Sequence, residues 1–290
     1  MAFVKAIKSK SLLRLALFGP SGGGKTFSAL RIASGIGGKI AVIDSERGSA
    51  SKYADRFEFD VCDLDTKSID SYIKNIKEAG QAGYNVLILD SMTHAWQELL
   101  EEIDKIAKTQ FKGNTWSAWS KGTPKQRLFI DTLLSYPGHI IATMRSKTEW
   151  TQEKDERTGK SKPIRVGLAP EQGKGVEYEF DILMELTTEH LASIIKDRTG
   201  MFQDKIIDHP SEEFGKELVA WLNSGADPVV LKIDGKQHRQ IEAEISKHDI
   251  TQEYVKEAMK VDHMTDILAS DFEKVIKAIK GKPLKQEQAV

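Results

Sequence analysis

Eight consecutive residues constrain this chain more than any others: Gly19-Pro20-Ser21-Gly22-Gly23-Gly24-Lys25-Thr26. They read G-x-x-x-x-G-K-T. An apolar run, Leu12 to Phe18, precedes them and has the character of a buried strand. Phe27-Ser28-Ala29-Leu30-Arg31-Ile32-Ala33 follows with helical spacing. A glycine-rich loop in that setting is a phosphate cradle, the P-loop. Its backbone N–H groups wrap a triphosphate, and the helix N-terminus adds the positive end of its dipole. The segment from Gly19 to Phe27 is therefore the expected ATP-binding loop. Lys25 reaches the β- and γ-phosphates, and the Thr26 hydroxyl sits on Mg²⁺. A flexible linker of the same composition rarely joins a buried strand to an amphipathic helix.

Composition narrows the setting. At 290 residues the chain has room for one large domain and a small one. Charged residues make up 29% and hydrophobic residues 40%, which suits a soluble globular protein. No apolar run reaches membrane-spanning length, so no membrane partner is expected. The lone Cys62 excludes an internal disulfide framework and a multi-cysteine zinc site, and it fits a reducing cytoplasm. The net charge of -1 hides segregation. Between Lys105 and Ile130 stand six basic residues and no acidic one, a local footprint suited to nucleic acid.

Apolar runs alternate with helical stretches through the first part. Expected strands are Leu12–Phe18, Lys39–Asp44, Phe57–Cys62, Val86–Asp90 and His139–Met144. Expected helices lie near Lys25–Ser34, Ser68–Ala82, Ser91–Lys108 and Lys125–Ser135. Such alternation implies βαβ units and a parallel sheet. Phe180–Leu186, Leu191–Lys196 and Met201–Ile207 then suggest an antiparallel meander at the sheet edge, closed by a helix near Glu212–Asn223. Ser224–Pro228 reads as a linker. This divides the chain into a core, 1–224, and a small helical module, 225–290, whose end from Gly281 frays. Three helices fit the module: Gly235–Lys247, Gln252–Met259 and Ala269–Ile279.

Two acids complete the phosphate chemistry. Val86-Leu87-Ile88-Leu89-Asp90 has the Walker B form, with Asp90 holding Mg²⁺ directly or through water. Ile40-Ala41-Val42-Ile43-Asp44-Ser45-Glu46 is a second strand ending in acids. Strand C-termini face the ligand crevice of an open α/β sheet, which points Glu46 toward the γ-phosphate, where it can orient and deprotonate water. The alternative is a solvated loop acid. His94 and Trp96 read as structural.

In GPSGGGKT, AVIDSERGSA, LILDSMTHAW, HIIATMRSKTEW and EYEFDILMEL the chain resembles RecA-like core ATPases, most closely the short phage proteins of the Sak type, over roughly residues 10–205. The resemblance implies an α/β fold, a RecA-like P-loop core with a mainly parallel sheet and antiparallel edge strands. It also implies an ATPase that binds single-stranded DNA and assembles head to tail as a filament or ring. Glu46 takes the catalytic position, after the strand that follows the P-loop helix. AAA+ proteins place that glutamate directly after the Walker B aspartate, where this chain has Ser91. The polar sensor position falls at Thr143-Met144-Arg145, without the family's usual amide, leaving Thr143 or Arg145. Lys196 and Arg198 resemble the basic pair that reaches a neighbour's γ-phosphate and stabilises transition-state charge in trans. The alternative for them is a solvated charge pair guarding an edge strand.

The resemblance also implies two DNA-facing loops. The first, Lys108–Gly122, interleaves Lys108, Lys112 and Lys121 with Phe111, Trp116 and Trp119. Lysines follow phosphates and rings stack on unpaired bases. Trp116 and Trp119 are also at helical spacing, and packing into the core is the competing expectation for both. The second, Arg145–Gly175, carries eight basic and five acidic residues, with Arg145, Lys147 and Arg165 as the expected contacts and a hairpin tip at Glu153–Lys160. The helical module is a candidate site for a single-strand DNA-binding protein or another subunit, or a stability appendage. Competing functions are a hexameric helicase or helicase loader, a nucleotide-gated adaptor with little hydrolysis, and a P-loop kinase.

Overall fold

Five buried apolar runs and one short exposed strand, Asp60–Asp63, become the parallel strands of one sheet. β1 (Arg14–Gly19) is buried throughout. Leu15 and Leu17 point to one side of it, Ala16 and Phe18 to the other, so the run carries no polar alternation. The computed structural model describes residues 5–154, 161–227 and 231–284. It divides the chain into two units, Met1–Ala226 and Asp227–Val290.

In the first unit, α1 (Lys25–Ile36) leads to β2 (Ile40–Asp44) and β3 (Asp60–Asp63). Then come α2 (Ile69–Gln81), β4 (Val86–Asp90), α3 (Met92–Gln110), α4 (Thr115–Leu134) and β5 (His139–Lys154). β6 (Ser161–Pro170), β7 (Ile182–Leu186), β8 (Leu191–Asp197), β9 (Ile206–Asp208) and α5 (Glu212–Asn223) complete it. The sheet order is β3-β2-β4-β5-β1-β7-β8-β9, with β6 paired to β5 alone. β8 and β9 are antiparallel at the edge and the remaining neighbours on that path are parallel. The fold is thus the expected α/β P-loop core.

The order has a direct consequence for the site. β5 lies between β1 and β4, with Leu17 opposite Thr143 and Gly19 opposite Arg145. β2 flanks β4 with Asp44 opposite Asp90. The P-loop, Thr143, Asp90 and the end of β2 therefore line up along one edge of the sheet, the carboxyl ends of its strands. On one face α2, α3 and α4 cover a core that includes Tyr72, Leu99 and Phe129. On the other, α1 and α5 cover Leu15, Leu30, Ile32 and Leu218. α1 and α5 touch closely: a Cβ on Gly215 would lie 2.2 Å from the Ile32 carbonyl oxygen.

Several elements differ from the sequence expectation. The stretch Lys108–Gly122 is not a loop. α3 continues to Gln110, and Asn114 starts α4 by accepting from the Ser117 amide at 3.1 Å. Gly122-Thr123-Pro124 looked like a break, yet helix runs through it, because Gly122 lets α4 close onto Ile103 of α3. β5 continues ten residues past Met144 and forms a ribbon with β6. The six residues 155–160, most of the expected hairpin tip, lie outside the described residues. The meander's third strand shrinks to Ile206–Asp208, because the Asp197 carboxylate accepts from the amides of Thr199 and Phe202, both at 2.7 Å, and winds that stretch into a turn.

The second unit holds α6 (Gly235–Lys247), α7 (Gln252–Met259) and α8 (Phe272–Lys280) around Ile241, Val255, Ile267 and Val275. Asp234 caps α6 in a capping box with Gln237. Residues 281–284 do not fray as expected. The Asp249 amide donates to the Pro283 carbonyl at 2.9 Å, and His248 Nδ1 bonds the Lys282 carbonyl at 2.8 Å. Among the described residues no helix is long and apolar enough to cross a membrane.

Candidate active site

The carboxyl ends of β1, β2, β4 and β5 open onto a cleft of about 860 Å³. Its floor is the glycine loop. Gly22 and Gly24 hold φ of 81° and 78°, a left-handed region that other residues enter only with strain. A side chain on Gly24 would also meet the His190 ring at 3.0 Å. Gly24 brings no capping side chain to α1, so the dipole end of that helix faces the loop. Lys25 Nζ donates to the carbonyls of Gly19 at 3.1 Å and Pro20 at 2.8 Å. Burial lowers the Lys25 pKa, an effect that the charges of Asp90 and Glu46 oppose.

Asp90 is 2% exposed and sits at the hub. Its two oxygens accept from two hydroxyls, Oδ2 from Thr26 and Oδ1 from Thr143, each at 2.5 Å. Burial pushes its pKa up, and the two hydroxyl donors pull it back. Thr26, Asp90 and Thr143 are thus brought together as a single cluster. Its oxygen donors are of the hard type that Mg²⁺ selects.

Glu46 enters the cleft from the turn after β2. That turn is shaped by Asp44, whose Oδ1 accepts from the Glu46 amide at 2.5 Å and Oδ2 from the Ala50 amide at 2.9 Å. Arg145 Nη2 donates to both Glu46 carboxylate oxygens at 2.9 Å. Arg145, expected either as the sensor or at the base of a DNA loop, stands in the cleft against the candidate base. His94, read from the sequence as structural, places Nε2 3.6 Å from Glu46 Oε1. No spacing rule links a histidine on α3 to an acid after β2. Only the side-by-side register of β2 and β4 brings them together.

Phe27, the last residue of the expected ATP-binding loop, lines the cleft, as do Tyr53, His190 and His209, which carry no sequence signal. Phe27 packs on Tyr53 and Phe57, with ring centroids 5.4 Å away in both cases. His190 and His209 rings lie 5.4 Å apart at the outer rim. Both have positive φ, 65° and 48°, so tight turns rather than regular elements hold them there.

Lys196 and Arg198 do not join this cluster. β8 runs antiparallel to β7, so its end lies beside Asp181 and the start of β1, at the opposite edge of the sheet from the P-loop. Both side chains point the same way, donating to the Tyr178 carbonyl at 2.8 and 2.7 Å. The remaining candidates also stand apart from the cleft. Lys108 pairs with Asp104, while Lys112 and Lys121 are exposed. Trp116 is 87% exposed at the start of α4. Trp119 is partly buried and stacks on Trp96 at 5.6 Å, so the core expectation holds for one tryptophan and not the other. Lys147 reaches the Gln172 carbonyl at 3.5 Å. Arg165 lies in β6 opposite Trp150, and its side chain lies outside the described residues.

The family model that matches this chain is described as an AAA domain, and it spans residues 11–217, more than two thirds of the length. No curated protein matches the chain. The AAA description accompanies a Walker B aspartate followed by Ser91, with Glu46 entering the cleft from the turn after the neighbouring strand.

Proposed function

The chain belongs to the AAA domain family, and from that premise we propose that it is an ATP hydrolase of single-strand DNA recombination, resembling phage RecA-like ATPases of the Sak type. The observation that carries the reading is the cluster around Asp90. One buried carboxylate is shared by the P-loop hydroxyl of Thr26 and the Thr143 hydroxyl, with Glu46 entering the same cleft. Lys25, the loop amides and the start of α1 hold the phosphates. Thr26 and Asp90 hold Mg²⁺, which when bound neutralises charge on the phosphate oxygens. Glu46 orients the attacking water and accepts its proton. Arg145 and Thr143 stand where a sensor of the γ-phosphate belongs, and the geometry favours sensing over DNA contact for Arg145.

The DNA-facing surface rests on exposed groups. Trp116 stands free to stack on a base, with Lys112 and Lys121 on the same helical hairpin for phosphates. Stacking on Trp96 leaves Trp119 a supporting role. Lys196 and Arg198 act on a neighbouring subunit's nucleotide, in a ring or filament. A single-strand DNA-binding protein is the partner proposed for the second unit, and the cytoplasm the proposed location.

One observation favours a second reading, a nucleotide-gated adaptor that turns over little ATP: both Glu46 oxygens are taken by Arg145. Phosphate release by the wild type, with and without single-stranded DNA and beside Lys25→Ala, separates the two. Stimulation by single strands that disappears in the variant supports the hydrolase. Tight ATP binding with negligible release in either condition supports the adaptor, and duplex unwinding would instead indicate a helicase.

A further inference from the structure

We propose that His94 is a positioning residue for Glu46, holding its carboxylate in line for water while Arg145 lets go; this rests on the hydrolase reading above. Ser45 lies between the two acids at the end of β2. Ser45 Oγ accepts from the Ser91 amide at 2.9 Å. Its own proton has three acceptors in reach: the carbonyls of Asp90 at 3.1 Å and Ser91 at 3.2 Å, and His94 Nδ1 at 2.7 Å. The nearest is the imidazole.

The tautomer then follows from charge. His94 is 6% exposed, and burial lowers its pKa against the opposing charge of Glu46, which favours the neutral ring with one N–H. If Nδ1 carried that proton, the lone pair of Nε2 would face the Glu46 carboxylate. If Ser45 donates to Nδ1, the Nε2 proton faces Glu46 Oε1, 3.6 Å away. The second arrangement turns an N–H rather than a lone pair toward the carboxylate. Hydrogen bonds run from the Ser91 amide through the Ser45 hydroxyl to the imidazole, and a longer charge–dipole contact of 3.6 Å reaches Glu46.

His94 and Arg145 hold Glu46 in different ways. The Arg145 side chain is 43% exposed and engages both oxygens, an arrangement that leaves neither free for water. His94 is 7% exposed at its side chain, pinned at the far nitrogen, and addresses Oε1 alone. When Arg145 turns to another anion in the cleft, His94 still orients the carboxylate and Oε2 becomes available as the base. A group that merely fills core space near the start of α3 needs neither the Ser45 bond nor the facing carboxylate.

Two replacements separate these roles. The amide of His94→Gln extends toward the place of Nε2 and Glu46, whereas that of His94→Asn reaches only the place of Nδ1 and Ser45. Steady-state ATP hydrolysis by both is compared with the wild type, together with thermal unfolding. The expectation is a kcat about tenfold lower for H94N with KM for ATP changed by less than about twofold, and most of the rate retained in H94Q. In an E46Q background H94N should add no further loss. Equal rates for H94N and wild type, equal losses in the two variants, or full additivity with E46Q overturn the proposal. If H94N does not fold, Ser45→Ala keeps the ring and removes its donor. A folded S45A with unchanged kcat overturns the proposal equally. A wild type that hydrolyses no ATP overturns the hydrolase reading itself, and this inference with it.

Discussion

Lys25 and Glu46 serve one cleft in separable ways, and substitution should separate them. On the proposed hydrolase reading, Lys25 provides charge to phosphates in ground and transition states alike, so Lys25→Ala should lose both nucleotide binding and turnover. On the same reading Glu46 acts on the water, so Glu46→Gln should bind a fluorescent ATP analogue as the wild type does while phosphate release falls at least about a hundredfold. Equal loss of binding in both variants would remove Glu46 from the role of base. A second residue sets a pH limit on stability. The Leu13 amide donates to His139 Nδ1 at 3.0 Å, so the folded ring must keep that nitrogen unprotonated. Burial and then Arg14 lower the His139 pKa below its ordinary 6.5. The unfolded chain therefore takes up the proton first as pH falls through about 6.5, and stability falls with it. His139→Asn keeps an acceptor that does not titrate. Urea midpoints at pH 7.5 and 5.5 should drop more for the wild type than for the variant, and parallel drops would assign the acid sensitivity elsewhere.

Between elements, the closest packing is α1 against α5. Helix propensity alone favours Gly215→Ala by about 1 kcal/mol. The added Cβ, however, would stand 2.2 Å from the Ile32 carbonyl oxygen and 3.1 Å from Gly35 Cα, backbone atoms that cannot swing aside. Overpacking of that kind costs about 1–3 kcal/mol and wins, so the variant should unfold at lower urea concentration, with the slope of the transition unchanged. The same elements mark what was legible in the sequence. β1, the glycine loop and α1 were readable because a phosphate cradle needs that strand–loop–helix order, and the bounds of α5, α6 and α7 came from clean periodicity and caps. The stretch from Lys108 to Gly122 misled because lysines, glycines and aromatics compose both a binding loop and the turn of a helical hairpin. What decides between them is Gly122 meeting Ile103, a contact 19 positions apart. His94 carried no motif of its own, and Thr143 and Arg145 were marked only as a sensor position implied by resemblance. Their places beside Asp90 and Glu46 follow from β5 entering between β1 and β4 and from β2 lying beside β4, facts of strand order that no local pattern encodes.

At the scale of the whole molecule, the sheet separates two sets of cations. Lys25 and Arg145 stand at the carboxyl ends of the strands, and Lys196 and Arg198 at the opposite edge. One chain cannot bring both sets to one nucleotide without unmaking the sheet. A head-to-tail contact between copies can, because a heterologous interface joins unlike surfaces. Lys196 donates to the carbonyls of Glu177 and Tyr178, while Arg198 donates to the Tyr178 carbonyl and pairs with the Asp181 carboxylate at 3.4 Å, so Arg198 must exchange an ion pair for the phosphate in this role. Mixtures of two inactive variants distinguish action in trans from action within one subunit. Lys25→Ala lacks a working cradle but keeps the distal cations. The double variant Lys196→Ala, Arg198→Ala keeps the cradle and lacks the cations. Each alone should be nearly inactive. Mixed in equal amounts, about one quarter of the interfaces join an intact cradle to intact cations, and roughly that share of wild-type turnover should return. A mixture no more active than its components would confine Lys196 and Arg198 to their own subunit, where their distance from the P-loop leaves them guarding the sheet edge rather than serving ATP.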